Sequence, residues 1–484
     1  MFVFYFSRRT RTRRAAFSSL RPTSLINKAH PIPATIGVLG VLAALLFGAG
    51  KAARAQAPLP PDASTQSTAT HLWSWGGNAY GQLGDGSTLL RLMPREVPPN
   101  RWLLGPDLTA LAAGKYHSLA LNRAGALLSW GLNDVGQLAT ANTFNQRTPI
   151  PIRADGPLQG RGFNLVRSGK YHSLARDTTG ALWTWGFNEY GQLGEGTRLT
   201  RSRAALVRFP GDARVETMAC GGSHSLAVAS DHHLYSWGNN AHGALGNGDI
   251  RKRSSTIPAL ADESGALANG RLIALAAGNY HSLALDGEGR VFAWGDNRFG
   301  QLGDGTTTTR FAPIQVGGAL QTLRVKSIAA GYFFSLALTD DGRLFAWGAD
   351  ESGQIGDGKP FSPTATDQTP LMRLLPTEIH CGAATIVRVE AGFSHVLALD
   401  AGGTLWSWGA NRAGQLGDGT LVSRSAPQPV FLLGLRPKSR IIALAAGAEH
   451  SLIVTRDPPQ LKLISVAPKA APKYFEGRFN LLAK

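Results

Sequence analysis

Short apolar runs of strand length alternate with polar, glycine-rich turns from about residue 71 to residue 456, and no unit of the pattern holds an uninterrupted helical period. "LIALAA" (Leu272–Ala277) reads as one strand, closed by Gly278, and "SLALD" (Ser282–Asp286) reads as the next. "GEG" then marks a hairpin turn into "RVFAW" (Arg290–Trp294). A strand near Thr256–Leu260 precedes these three, and the four are grouped in that order as one unit.

The unit recurs. "FAWGDNRFGQLGDG" from Phe292 has relatives starting at Trp73, Leu128, Trp183, Tyr235, Phe345 and Trp406. The tryptophan two residues into each copy is Trp75, Trp130, Trp185, Trp237, Trp294, Trp347 or Trp408, at spacings of 55, 55, 52, 57, 53 and 61 residues. A second motif, "AAGNYHSLAL" from Ala276, has six relatives, from Ala112, Arg167, Ala219, Ala329, Glu390 and Ala445. Self-similarity at this period signals stacked units that bury their faces against one another. Four antiparallel strands, repeated seven times, predict an all-β fold, a seven-bladed β-propeller. The first motif is a lone late strand, His71–Trp75, and the last strand is His450–Val454 with no partner after it. The N-terminal strand is therefore expected to join the C-terminal three strands and leave no open edge.

These paired motifs resemble the repeat of the regulator of chromosome condensation family over about residues 71–456. The resemblance implies a seven-bladed propeller. The founding member is a nucleotide-exchange factor for a small nuclear GTPase, and other relatives are binding scaffolds, including secreted bacterial inhibitors of β-lactamases. It therefore implies an architecture and not one activity. Three departures stand out: "LATA" (Leu138–Ala141) replaces a Gly-acid-Gly turn, Phe334 replaces a histidine, and Lys359–Thr385 lengthens the sixth unit.

Composition agrees with a turn-rich β protein, with 58 Gly among 484 residues and only 17% charged residues. The formal charge of +17 sits at the ends. Of 49 Lys/Arg, nine lie in residues 1–61 and five in 458–484, which leaves 35 against 31 acidic residues in the body. Nucleic acid is therefore not an expected partner. Residues 1–57 combine a basic start with "ATIGVLGVLAALLFGAG" (Ala34–Gly50), 17 residues without a charge. This reads as a cleaved export signal, an uncleaved membrane tether through 34–50, or an organelle transit segment. Residues 58–70 read as a linker and 457–484 as a basic tail.

The repeated residues read as structural. The Trp-Gly glycines allow a tight strand exit, the following Asn caps a turn, and the tryptophans fill gaps between blades. His117, His172, His224, His281, His395 and His450 fall one per blade, so they are expected to bond neighbouring backbone groups and not to ring a metal. Asp85, Glu195, Asp304, Asp357 and Asp418 each precede a turn glycine, without the alternating oxygen ligands of a calcium loop. Cys220 and Cys381 fall three units apart and are not expected to pair. Phosphate-loop, Ser-His-Asp and His-Glu-x-x-His signatures are missing, so no catalytic residue, cofactor or metal is expected.

Variation between the fixed positions points to a site. In antiparallel blades the loop between the first two strands of the motif and the connection after Trp-Gly emerge on one face. That rim collects Tyr80, Lys115, Tyr116, Lys170, Tyr171, Glu189, Tyr190, Tyr280, Arg298, Phe299, Tyr332, Phe333 and Phe393. Tyrosine and arginine dominate protein interfaces. The competing reading is that these rings pack over the channel mouth and on one another. The sequence thus leads to a non-catalytic, monomeric protein-binding scaffold, exported or membrane-tethered, whose partner is not legible. A guanine-nucleotide exchange factor for a small GTPase and a carbohydrate-binding or lyase activity at the channel mouth are the alternatives.

Overall fold

The computed structural model describes residues 69–458 apart from 104–106, 154, 269 and 361–370. The N-terminal region with Ala34–Gly50, nearly all of the linker and tail, and the middle of the sixth-unit insertion lie outside the described residues.

Among the described residues, twenty-eight strands form seven four-stranded antiparallel sheets, the seven blades expected from the repeat. In one sheet Leu272–Ala277 pairs with His281–Asp286, which pairs with Val291–Gly295, which pairs with Arg310–Gln315 at the outer edge. Numbered by inner strand, the blades begin at Leu108–Ala113 (blade 1), Phe163–Ser168 (blade 2), Val215–Cys220 (blade 3), Leu272–Ala277 (blade 4), Val325–Ala330 (blade 5), Ile386–Ala391 (blade 6) and Arg440–Ala446 (blade 7). Each inner strand touches the next around a closed circle.

The grouping of strands differs from the expected one. Ser254–Leu260 belongs to the preceding blade, where it is the outer strand against Leu234–Asn239. The sequence unit and the blade are thus offset by one strand. After Trp-Gly the chain makes its long polar turn and returns antiparallel along the strand it has just left. Closure follows the same rule. Thr70–Gly76 pairs with His450–Arg456 as expected, but Arg91–Glu96 also joins on the outside, so the closing blade takes two strands from each end of the repeat region instead of one and three.

The core is not central. Seven apolar clusters lie one per seam, as where Leu226, Val228 and Leu234 of blade 3 meet Leu275, Phe292 and Trp294 of blade 4. All seven repeat tryptophans are fully buried in these seams. Trp294 Nε1 donates to the Ala244 carbonyl of the preceding blade (2.9 Å), and Trp130 Nε1 to that of Gln82 (2.8 Å). Removing one such tryptophan costs about 3–5 kcal/mol, whereas an exposed ion pair contributes about 0–1 kcal/mol, so the seams hold the ring. Gly295 has φ +102°, and a Cβ there would collide with the Tyr280 carbonyl oxygen.

Candidate functional site

Each strand exit is tied to the loop beside it. Asp296 N–H donates to the Tyr280 carbonyl (2.9 Å), and Leu132 N–H to that of Tyr116 (2.8 Å). The two families of variable loops therefore share one face in every blade. None of the thirteen rim residues is buried, and Tyr80 and Tyr190 are the most open of its aromatics, at 37% and 40% exposure.

The rim side chains form linked groups. Tyr80 lies against Tyr116, with ring centres 5.0 Å apart. Lys115 Nζ donates to the Tyr171 hydroxyl (3.0 Å) and sits 4.6 Å above the Tyr116 ring. Partial burial opposes the Lys115 charge, but the two tyrosines outweigh it and lift its pKa above the ordinary lysine value. Tyr190 reaches Tyr171 through Phe187, which the sequence reading missed (6.3 and 6.4 Å between centres). On the other side Tyr332 stacks on Phe393 (4.9 Å) and meets Phe333 edge-on (4.6 Å), and Phe333 meets Phe299 (5.0 Å). Lys170 of blade 2 donates across the mouth to the Tyr332 hydroxyl of blade 5 (3.3 Å). Tyr280 pairs with His242, a second residue missed (4.6 Å). Arg298 folds back on the buried Asp296 (2.9 Å), and Glu189 stands exposed. The rings thus do pack on one another around the mouth, while part of each remains open to a partner.

The six histidines do something other than expected. His281 Nε2 donates to Ser335 Oγ of the next blade (3.0 Å), and Ser335 donates onward to the Gln301 carbonyl (2.8 Å). The same relay joins His117 to Ser173, His172 to Ser225, His224 to Ser282, His395 to Ser451 and His450 to Ser118. The serine in "HSLAL" carried this signal. Burial holds the imidazoles neutral, with pKa values of about 3 for His117, His224, His395 and His450 and about 4 for His172 and His281. The turn acids pair with an arginine at the head of the outer strand: Asp304 with Arg310 (2.7 Å), Asp85 with Arg91 (2.7 Å) and Glu195 with Arg201 (2.8 Å). Asp304 Oδ1 also accepts from Asn297 Nδ2 (3.0 Å) and from the Thr306 amide (2.9 Å), which makes the turn rigid. Cys220 is a free thiol on the channel wall, and Cys381 is a free thiol within the apolar cluster between blades 5 and 6.

Inside the ring, the inner strands of all seven blades enclose a channel of about 420 Å³ with walls mostly of alanine and glycine.

A ring closed by its own two ends, with one face of variable aromatic loops, defines a seven-bladed repeat propeller. Family comparison narrows this further. Residues 200–459 match the RCC1-like domain, and residues 71–121 and 124–176 match the regulator of chromosome condensation (RCC1) repeat. The chain belongs to the RCC1 family. It is similar to the ultraviolet-B receptor UVR8 of Arabidopsis thaliana, 30% identical over 75% of this chain and 78% of that one. It is also similar to the mitochondrial RCC1 domain-containing protein RUG3 of the same plant, 28% identical over 82% of this chain and 92% of that one. Among solved structures, yeast RCC1 (Prp20) bound to Kap60 has the same fold, with a TM-score of 0.70 at 23% identity over 81% of this chain and 90% of that one.

Proposed function

We propose that this protein is a binding scaffold without a catalytic step of its own, and that the aromatic and cationic rim receives a partner protein. The observation that carries the reading is the composition of one face: nine aromatic rings and three cations, none buried, gathered from all but one of the blades. Rigid aromatic anchors beside cationic groups are the chemistry of protein interfaces. The relatives support it at the level of the family, since yeast Prp20 is described with Kap60 bound and with binding properties towards Gsp1p and histones.

The test uses affinity capture with the full chain and with a variant carrying Tyr116→Ala, Tyr171→Ala and Tyr280→Ala, each bait analysed by mass spectrometry. Partners held by the wild type should be lost from the variant while its thermal transition stays within a few degrees. Equal capture by both baits would refute the rim as the interface.

Export or membrane tethering is part of the same proposal. It rests on the uncharged Ala34–Gly50 segment between basic flanks. Among the described residues no helix is long and apolar enough to cross a membrane. Cell fractionation with N-terminal sequencing decides it. Recovery of an uncut chain in the cytosol would exclude it.

A further inference from the structure

Each of the seven inner strands contributes to the channel lining the residue two positions before its conserved glycine. Five blades place alanine there, as Ala112, Ala219, Ala276, Ala329 and Ala445, but blade 2 has Arg167 and blade 6 has Glu390. A residue needed only for packing should be alike in every unit of a ring. These two depart with opposite charges, from blades three seams apart in a circle of seven, and so from opposing walls.

Neither charge is used up by the protein. Glu390, half-buried, makes no side-chain hydrogen bond or ion pair with another described residue. Arg167 is exposed to the channel and spends one N–H on the Val166 carbonyl (2.9 Å). Lys170, three residues on, lies above Arg167 at the same wall and bridges to Tyr332. Arg388 donates to the Ile442 carbonyl (2.6 Å) from the blade 6 side. The channel lining therefore holds three cations and one carboxylate. Burial raises the Glu390 pKa, with Arg167 and Arg388 drawing it back. A cavity of this volume with small-residue walls and a few placed charged groups has the make-up of a small-ligand site.

We propose that the channel binds a small dipolar organic ligand, its carboxylate or phosphate held by Arg167 and Lys170 and its ammonium or hydroxyl donor held by Glu390 on the opposite wall. This site is separate from the rim interface, and it stands whether or not the rim binds a protein. The alanine walls leave room for a chain between the two charged ends.

Calorimetry on the full chain with β-alanine, γ-aminobutyrate and ε-aminocaproate as probes tests the proposal, with caproate and hexylamine as single-ended controls. The variants Arg167→Ala and Glu390→Ala install the residue that five blades already carry, so the fold is retained. At least one dipolar probe should bind. Either variant should weaken it by about tenfold or more, the size of a charged hydrogen bond. Caproate should respond to Arg167→Ala alone and hexylamine to Glu390→Ala alone. No binding by any dipolar probe, or binding that neither variant changes, would overturn the proposal. So would affinity that ignores Glu390, since the site would then be a bare anion site.

Discussion

At residue scale, Asp350 shows how a repeat exposes its own exceptions. Six units place asparagine after Trp-Gly-x, where its side-chain oxygen accepts from a loop amide, as Asn297 does from Leu302 (2.9 Å). Asp350 accepts the same bond from Ile355 (3.0 Å), but as a buried acid beside Asp357. Burial pushes its pKa up to about 6, with Arg373 drawing it partly back. The folded state thus binds a proton more tightly than the unfolded chain, so this group favours folding least above pH 6 and the handicap fades as pH falls towards 4. Asp350→Asn should therefore stabilise the protein at pH 7.5 by about 1–3 kcal/mol, with the gain shrinking near pH 4. Urea midpoints at the two pH values check this. A variant less stable than wild type at pH 7.5 would show that the Arg373 contact (3.6 Å) outweighs desolvation.

At the scale of strands, one seam differs from the other six. The His–Ser relay is missing between blades 5 and 6, where Phe334 stands for the histidine and Val396 for the serine, and the two share one apolar cluster. The two departures are a matched pair. A histidine alone would face a valine, and a serine alone would face a phenyl ring, each burying polar atoms without their repeat partner. Phe334→His and Val396→Ser should each destabilise by about 1–3 kcal/mol. The double variant should recover about 1–2 kcal/mol of their sum as His395 and its equivalents do, through a restored relay. Strict additivity in a double-mutant cycle would show that the pair is not coupled. The sequence showed Phe334 as a departure. It did not show why, because the partner residue lies 62 positions away in the next blade.

At the scale of the whole molecule, the ring makes stability depend on pH in one direction. Six histidines buried neutral have folded pKa values of about 3 to 4, below the ordinary 6.5 that they regain on unfolding. The unfolded chain therefore takes up more protons, and stability is lost as pH falls from about 6.5 towards 4. Proton uptake on unfolding should approach six near pH 5, with Asp350 offsetting about one. Urea midpoints measured between pH 7.5 and 5 should fall steadily, and a flat profile would contradict burial of the neutral rings. Much of this was legible in the chain alone. Repetition fixes the strands, the seven-fold count, the buried tryptophans and histidines and the shared face, because each unit meets the same local physics seven times. The deciding contacts between units were not legible. Which blade owns an outer strand, the two-and-two closure at Thr70–Gly76 and Arg91–Glu96, the reach of Lys170 to Tyr332 and the opposition of Arg167 to Glu390 all depend on how the ring turns and closes. A local pattern sets which way a side chain points along its own strand. Only the closed circle sets what it meets there, since it brings together residues more than 150 positions apart.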